Sequence, residues 1–162
     1  MSIKPNVQLL FVVTAFAVFA ASAIAKDSPK TPDIAVDSVT REALIFERQQ
    51  IMEQLGRDSE VLGKIVAGSE PSSKLPETTR SIAVGARESL ESFRQEIPGG
   101  RSKPDIWSPT SDFFPKMEAF VKNAEAMAKA GETGSVPAVT ELMIDALPCK
   151  QCHMSFREPK QP

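Results

Sequence analysis

From Val36 onward, apolar positions recur at intervals of three and four. Val39, Leu44, Ile45, Ile51, Met52, Leu55, Leu62, Ile65 and Val66 make up the first series, with Arg48 on the same stripe and Asp37 or Ser38 placed as caps. This spacing predicts a helix running to about Ala67. Gly68-Ser69-Glu70-Pro71-Ser72-Ser73 breaks it, and Ile82, Val84, Ala86, Leu90 and Phe93 predict a second helix from Leu75 to about Ile97. Pro98-Gly99-Gly100 closes that helix. The stretch to Thr110 holds Pro104, Pro109 and the only Trp, Trp107, and reads as a crossing loop with the indole as its packing anchor. A third helix begins near Ser111 or Asp112, tolerates Pro115 in its first turn, and continues through Phe120, Val121, Ala124 and Met127 to Ala130. Gly131 and Gly134 separate it from a fourth, over about Val136 to Glu158. No alternating β-branched run competes, so the expected fold is all-α: an antiparallel four-helix bundle over residues 37–160.

The first 25 residues stand apart. Lys4 precedes an apolar run from Leu9 to Ala21, broken only by Thr14, and Ala23-Ile24-Ala25 forms a small-x-small site before Lys26. This is the pattern of a cleaved secretory signal peptide, too short in its apolar part to span a bilayer comfortably. Residues 26–36, with two prolines and no periodicity, read as a flexible lead-in. The expected setting is the periplasm, with no stable membrane insertion.

A formal charge of −2, from 19 Lys+Arg against 21 Asp+Glu, leaves no polycationic footprint for nucleic acid. Outside the signal segment the chain has six Phe, one Trp and no Tyr, which is little large-ring filling for a core. A buried cofactor would supply the missing apolar volume. Glu42, Glu47, Glu53 and Glu60 read as a solvated helix face, and no phosphate loop, nucleophile elbow or buried acid/base pair points to an enzyme.

Cys149-Lys150-Gln151-Cys152-His153 matches the C-x-x-C-H pattern of covalent haem attachment. On a helix, cysteines three apart share a face and reach the two haem vinyl groups as thioethers, while a His four from the first offers its imidazole to iron. A disulfide between the two cysteines, and a zinc site completed by a carboxylate, are the alternatives for the same residues. With a single His in the chain, an iron bound by His153 takes Met, Lys, water or nothing on its other side. Met52, midway along the first helix on its apolar stripe, is the candidate there, against the plain reading of Met as core filler.

A C-x-x-C-H motif near the C-terminus of a four-helix chain resembles the class II c-type cytochromes: cytochrome c′ and its low-spin relatives. Arg48-Gln49-Gln50-Ile51-Met52 with Gly56, Lys103-Pro104-Asp105-Ile106-Trp107-Ser108 and His153-Met154-Ser155-Phe156-Arg157 are similar to that family's first helix, crossing loop and ending. The resemblance implies one haem c bound through Cys149 and Cys152, with His153 proximal, Met52 distal, Arg48 near a haem propionate and Arg157 beside the proximal imidazole. It implies either a His/Met-ligated electron carrier serving redox partner proteins, the leading expectation, or a five-coordinate, high-spin protein that binds nitric oxide or carbon monoxide. Homodimers through the first two helices are frequent in the family.

Two positions depart from the family pattern. Phe156 stands where Tyr is usual, keeping the packing surface and losing a hydroxyl. Pro148 lacks the N–H a helix interior needs and clashes with the preceding turn, so a kink or break is expected at Leu147-Pro148.

Overall fold

The computed structural model describes residues 38–160, so the signal segment and the whole lead-in lie outside the described residues. Five helices follow one another: α1 (Ser38–Val66), α2 (Leu75–Arg94), α3 (Phe113–Glu132), α4 (Val136–Ala146) and α5 (Cys149–Phe156), with 3-10 turns at Ser72–Lys74 and Pro104–Trp107. The helix α2 packs broadly against both α1 and α3, α3 against α4, and α4 touches α1 to close the ring. The result is a four-helix bundle whose fourth member comes in two pieces, α4 and α5.

Leu55, Leu62 and Ile65 from α1 meet Leu75, Ile82, Ala86, Leu90 and Phe93 from α2, while Phe113, Met117, Phe120, Ala124 and Met127 enter from α3 and Val139 and Ala146 from α4. Each set recurs at three, four or seven residues, the stripe that a 3.6-residue period aligns on one face. The hydroxyls on the inner face of α2 are paired within it: Thr79 donates to the Leu75 carbonyl at 2.9 Å and Ser89 to the Gly85 carbonyl at 2.7 Å. They can therefore be buried at little cost. Small residues set the helix separations. A Cβ on Gly85 would lie 2.9 Å from Leu55 Cδ2, and one on Gly131 would strike the Thr79 hydroxyl.

Three expectations shift. Val39 and Val84, counted among the inward positions, are 74% and 37% exposed. The helix α2 stops at Arg94, three residues short of Ile97, with Gln95 already extended at ψ 122°. Ile97 precedes Pro98 and is pushed away from helical backbone, yet it stays buried.

The expected break falls at Leu147-Pro148. Leu147 leaves the helix at φ −127° and ψ 66°, as a residue before proline does, and Pro148 becomes the N-cap of α5. The Leu147 N–H still donates to the Met143 carbonyl, and the Cys152 N–H to the Pro148 carbonyl, both at 3.1 Å. The chain thus ends one helix and starts the next with these two backbone bonds kept on either side of the junction. Among the described residues no helix is long and apolar enough to cross a membrane.

Candidate functional site

The helix α5 presents Cys149, Cys152 and His153 to a cavity of about 540 Å³. Arg48 and Met52 on α1, and Arg157 just past α5, line the same cavity, so all six residues singled out by sequence surround one space. Leu55, Phe93, Ile106, Phe113, Met117 and Phe120 make its floor and walls apolar. Pockets that enclose a small molecule or cofactor are about 300–1,000 Å³ and mostly apolar, and this one fits that description.

Cys149 and Cys152 are free thiols. Burial pushes both above the ordinary thiol range, with Lys116 pulling Cys152 back in part, so each is neutral near pH 7. Burial pushes His153 down, and Arg157 and Arg101 push it further, which keeps the imidazole neutral and its lone pair available to a metal. The zinc alternative lacks its cage: among the described residues no three His, Cys, Asp or Glu converge.

Arg48 is only 4% exposed. Its guanidinium donates to the carbonyls of Ser92 (2.8 Å), Gln95 (2.9 Å) and Ile97 (2.7 Å), the orphan acceptors left where α2 frays. It also lies 5.5 Å from the Trp107 ring centre, and desolvation lowers its pKa. Arg48 therefore lines the cavity as a cap for α2, a role the sequence did not announce. The Trp107 indole donates to the Phe93 carbonyl at 2.9 Å and anchors the crossing loop, as expected.

The loop also fastens α5. Ser102 and Arg157 form an antiparallel bridge, flanked by Lys103 N–H donating to the Phe156 carbonyl (3.0 Å) and Glu158 N–H donating to the Arg101 carbonyl (2.8 Å). Lys103 Nζ donates to the Ser155 carbonyl at 2.8 Å in the last turn of α5. Phe156 packs edge-on to Phe113 with ring centres 5.2 Å apart, so the aromatic surface is used without a hydroxyl. Gly99 and Gly100, first read as a helix stop, also line the cavity; at φ 61° Gly100 occupies the left-handed region, and a Cβ there would sit 3.1 Å from Ile45 Cγ2.

Residues 43–157 match the family model described as Cytochrome C′. The chain belongs to the cytochrome c′ family. A cytochrome c′ of Alcaligenes xylosoxydans xylosoxydans is 32% identical over 69 residues, which make up 42% of this chain and 54% of that relative. Among solved structures, a ferrous single-residue variant of cytochrome c prime from Alcaligenes xylosoxidans with bound NO is similar with TM-score 0.67 and 21% identity, over 74% of this chain and 97% of that one. Ferric cytochrome c prime from the same organism gives TM-score 0.67 and 22% identity over the same shares. At that identity the structural likeness shows the fold, and the family match carries the rest.

The cytochrome c′ cofactor is covalently bound haem c, and the residues present suit it. Two neutral thiols and a neutral imidazole stand on one wall of a largely apolar cavity, with a thioether side chain, Met52, among the α1 residues that line it.

Proposed function

We propose that the chain is a periplasmic monohaem cytochrome c′ that binds nitric oxide or carbon monoxide. Cys149 and Cys152 would hold the haem as thioethers, His153 would ligate its iron, and Met52 would line the gas-binding side without bonding the metal. When bound, the haem iron supplies the coordination position for a diatomic gas. The chain's own residues do the remainder: His153 stays neutral, the apolar walls exclude water, and Met52 limits access by bulk.

The observation that carries this reading is the pairing of an apolar distal wall with membership of a family whose compared structures include nitric oxide complexes. It displaces the electron carrier as the leading reading. The carrier stays as a second one because of a single feature: the half-buried Met52 thioether lines the cavity in a chain with one His, and Met with His would make a six-coordinate, low-spin iron.

The visible spectrum, oxidised and dithionite-reduced, with and without carbon monoxide, separates them. Broad high-spin bands that shift on adding the gas support the proposal. Sharp reduced bands indifferent to carbon monoxide overturn it in favour of the carrier.

A further inference from the structure

A second cleft, of about 590 Å³, adjoins the first across α5. Residues 149, 150, 153, 154 and 157 border it, so Cys149 and His153 each touch both spaces. Its charged lining is Arg101, Lys150 and Arg157, with Glu158 the one acid. Lys103 adds its ammonium against the Ser155 carbonyl, and Lys160 is next in sequence to Pro159, the last residue lining the cleft. None of these five cations forms an ion pair within 4 Å among the described residues; the cations that do, Arg57, Lys74, Arg87, Arg94 and Lys116, lie outside the cleft. Like charges have been gathered without a matching set of carboxylates, on a chain whose formal charge is −2.

The arrangement is held in place. Arg101 is pinned by two bonds from its guanidinium to the Glu158 carbonyl, at 3.0 and 2.7 Å, and the Ser102–Arg157 bridge fixes the two segments side by side. Met154, 68% exposed, gives the cleft an apolar contact beside the cations. Arg157 feels the repulsion of Arg101, which lowers its pKa after the effect of burial.

We propose that this cleft is a docking surface for an acidic partner protein, seated against the edge where the haem is attached. A free inorganic ion is a poor match: Arg101, Lys150, Arg157 and Lys160 are exposed, and an ion among them would keep its water. A protein surface brings several carboxylates together and covers Met154. The haem's own carboxylates leave Lys150 unmatched, because haem c carries them at the edge opposite its thioethers and Lys150 follows Cys149. The local field orients the partner even though the molecule as a whole is slightly acidic. This inference does not depend on how many ligands the iron has.

The test is fluorescence anisotropy of a short labelled Glu-rich peptide with a central Leu, titrated with the haem-loaded protein at low ionic strength. Binding is expected, weakened about fivefold by Lys150→Glu and less by Lys160→Glu, which sits in the tail and cannot disturb the fold. Lys129→Glu, near the far end of α3, should leave it unchanged. Absence of binding, or equal loss with Lys129→Glu, would overturn the proposal. So would stronger displacement of the peptide by sulfate than by chloride at equal ionic strength, which indicates a simple anion site, or tighter binding to phosphatidylglycerol vesicles, which indicates a membrane surface. The readout comes from the peptide, so its failure is distinct from failure of the gas-binding reading.

Discussion

The guanidinium carbon of Arg48 lies 4.8 Å from the centre of the Phe93 ring, and its three nitrogens bond the carbonyls of Ser92, Gln95 and Ile97. One buried cation thereby closes the C-terminal end of α2. Arg48→Leu leaves those carbonyls without their donor and should destabilise the haem-loaded protein by about 3 kcal/mol in urea unfolding. Arg48→Lys should recover only part, since an ammonium lacks the planar fork that serves three acceptors at once. Arg87→Ala is the contrast. It breaks an exposed ion pair to Glu125 and should change stability by no more than about 0.5 kcal/mol.

Met52→Ala opens the α1 wall of the cavity. On the gas-binding reading the resting high-spin spectrum is retained and carbon monoxide binds several-fold faster in stopped flow. A protein that instead passes from low-spin to high-spin bands on this substitution had Met52 as a ligand.

Gly131→Ala should destabilise, although Gly→Ala inside a helix ordinarily gains up to about 1 kcal/mol. The new methyl meets the Thr79 side chain between α3 and α2, and overpacking of that kind costs about 1–3 kcal/mol. Combining it with Thr79→Ala should restore part of the loss in thermal unfolding, and the non-additivity measures the contact.

Pro148→Ala removes the cause of the break. The expected outcome is a small rise in helical circular dichroism as α4 and α5 join, with both thioethers retained in the mass spectrum because the attachment residues lie downstream. An unchanged signal would mean that the bridge at Arg157, and not the proline, keeps the segments apart.

Much of this was legible in the chain. Heptad-like runs such as Leu55-Leu62 and Ile82-Ala86-Leu90-Phe93 fix helices because burial follows a 3.6-residue period, and Pro148 marks a break because it has no N–H. The six site residues converge because the C-x-x-C-H spacing and the α1 stripe both point inward. What could not be read depends on long-range partners. Arg48 looks like any polar residue on an apolar stripe until the frayed end of α2 is placed over it, and Val39 and Val84 follow the period but stay outside the buried core. The pairing of Ser102 with Arg157 joins residues 55 positions apart with no local signature.

That pairing and the Leu147–Pro148 junction together make α5 a gate: hinged at one end, latched at the other. No residue of α5 is fully buried, and between hinge and latch it is held by Phe156 against Phe113 and by Lys103 Nζ at the Ser155 carbonyl. A gate opens from the latch, and the amides of Lys103 and Glu158, which form it, should be the ones whose hydrogen exchange reports α5 swinging away while α1 to α3 stay closed. On the proposed function, the segment that would hold the haem is then also the one whose release should leave the other helices folded.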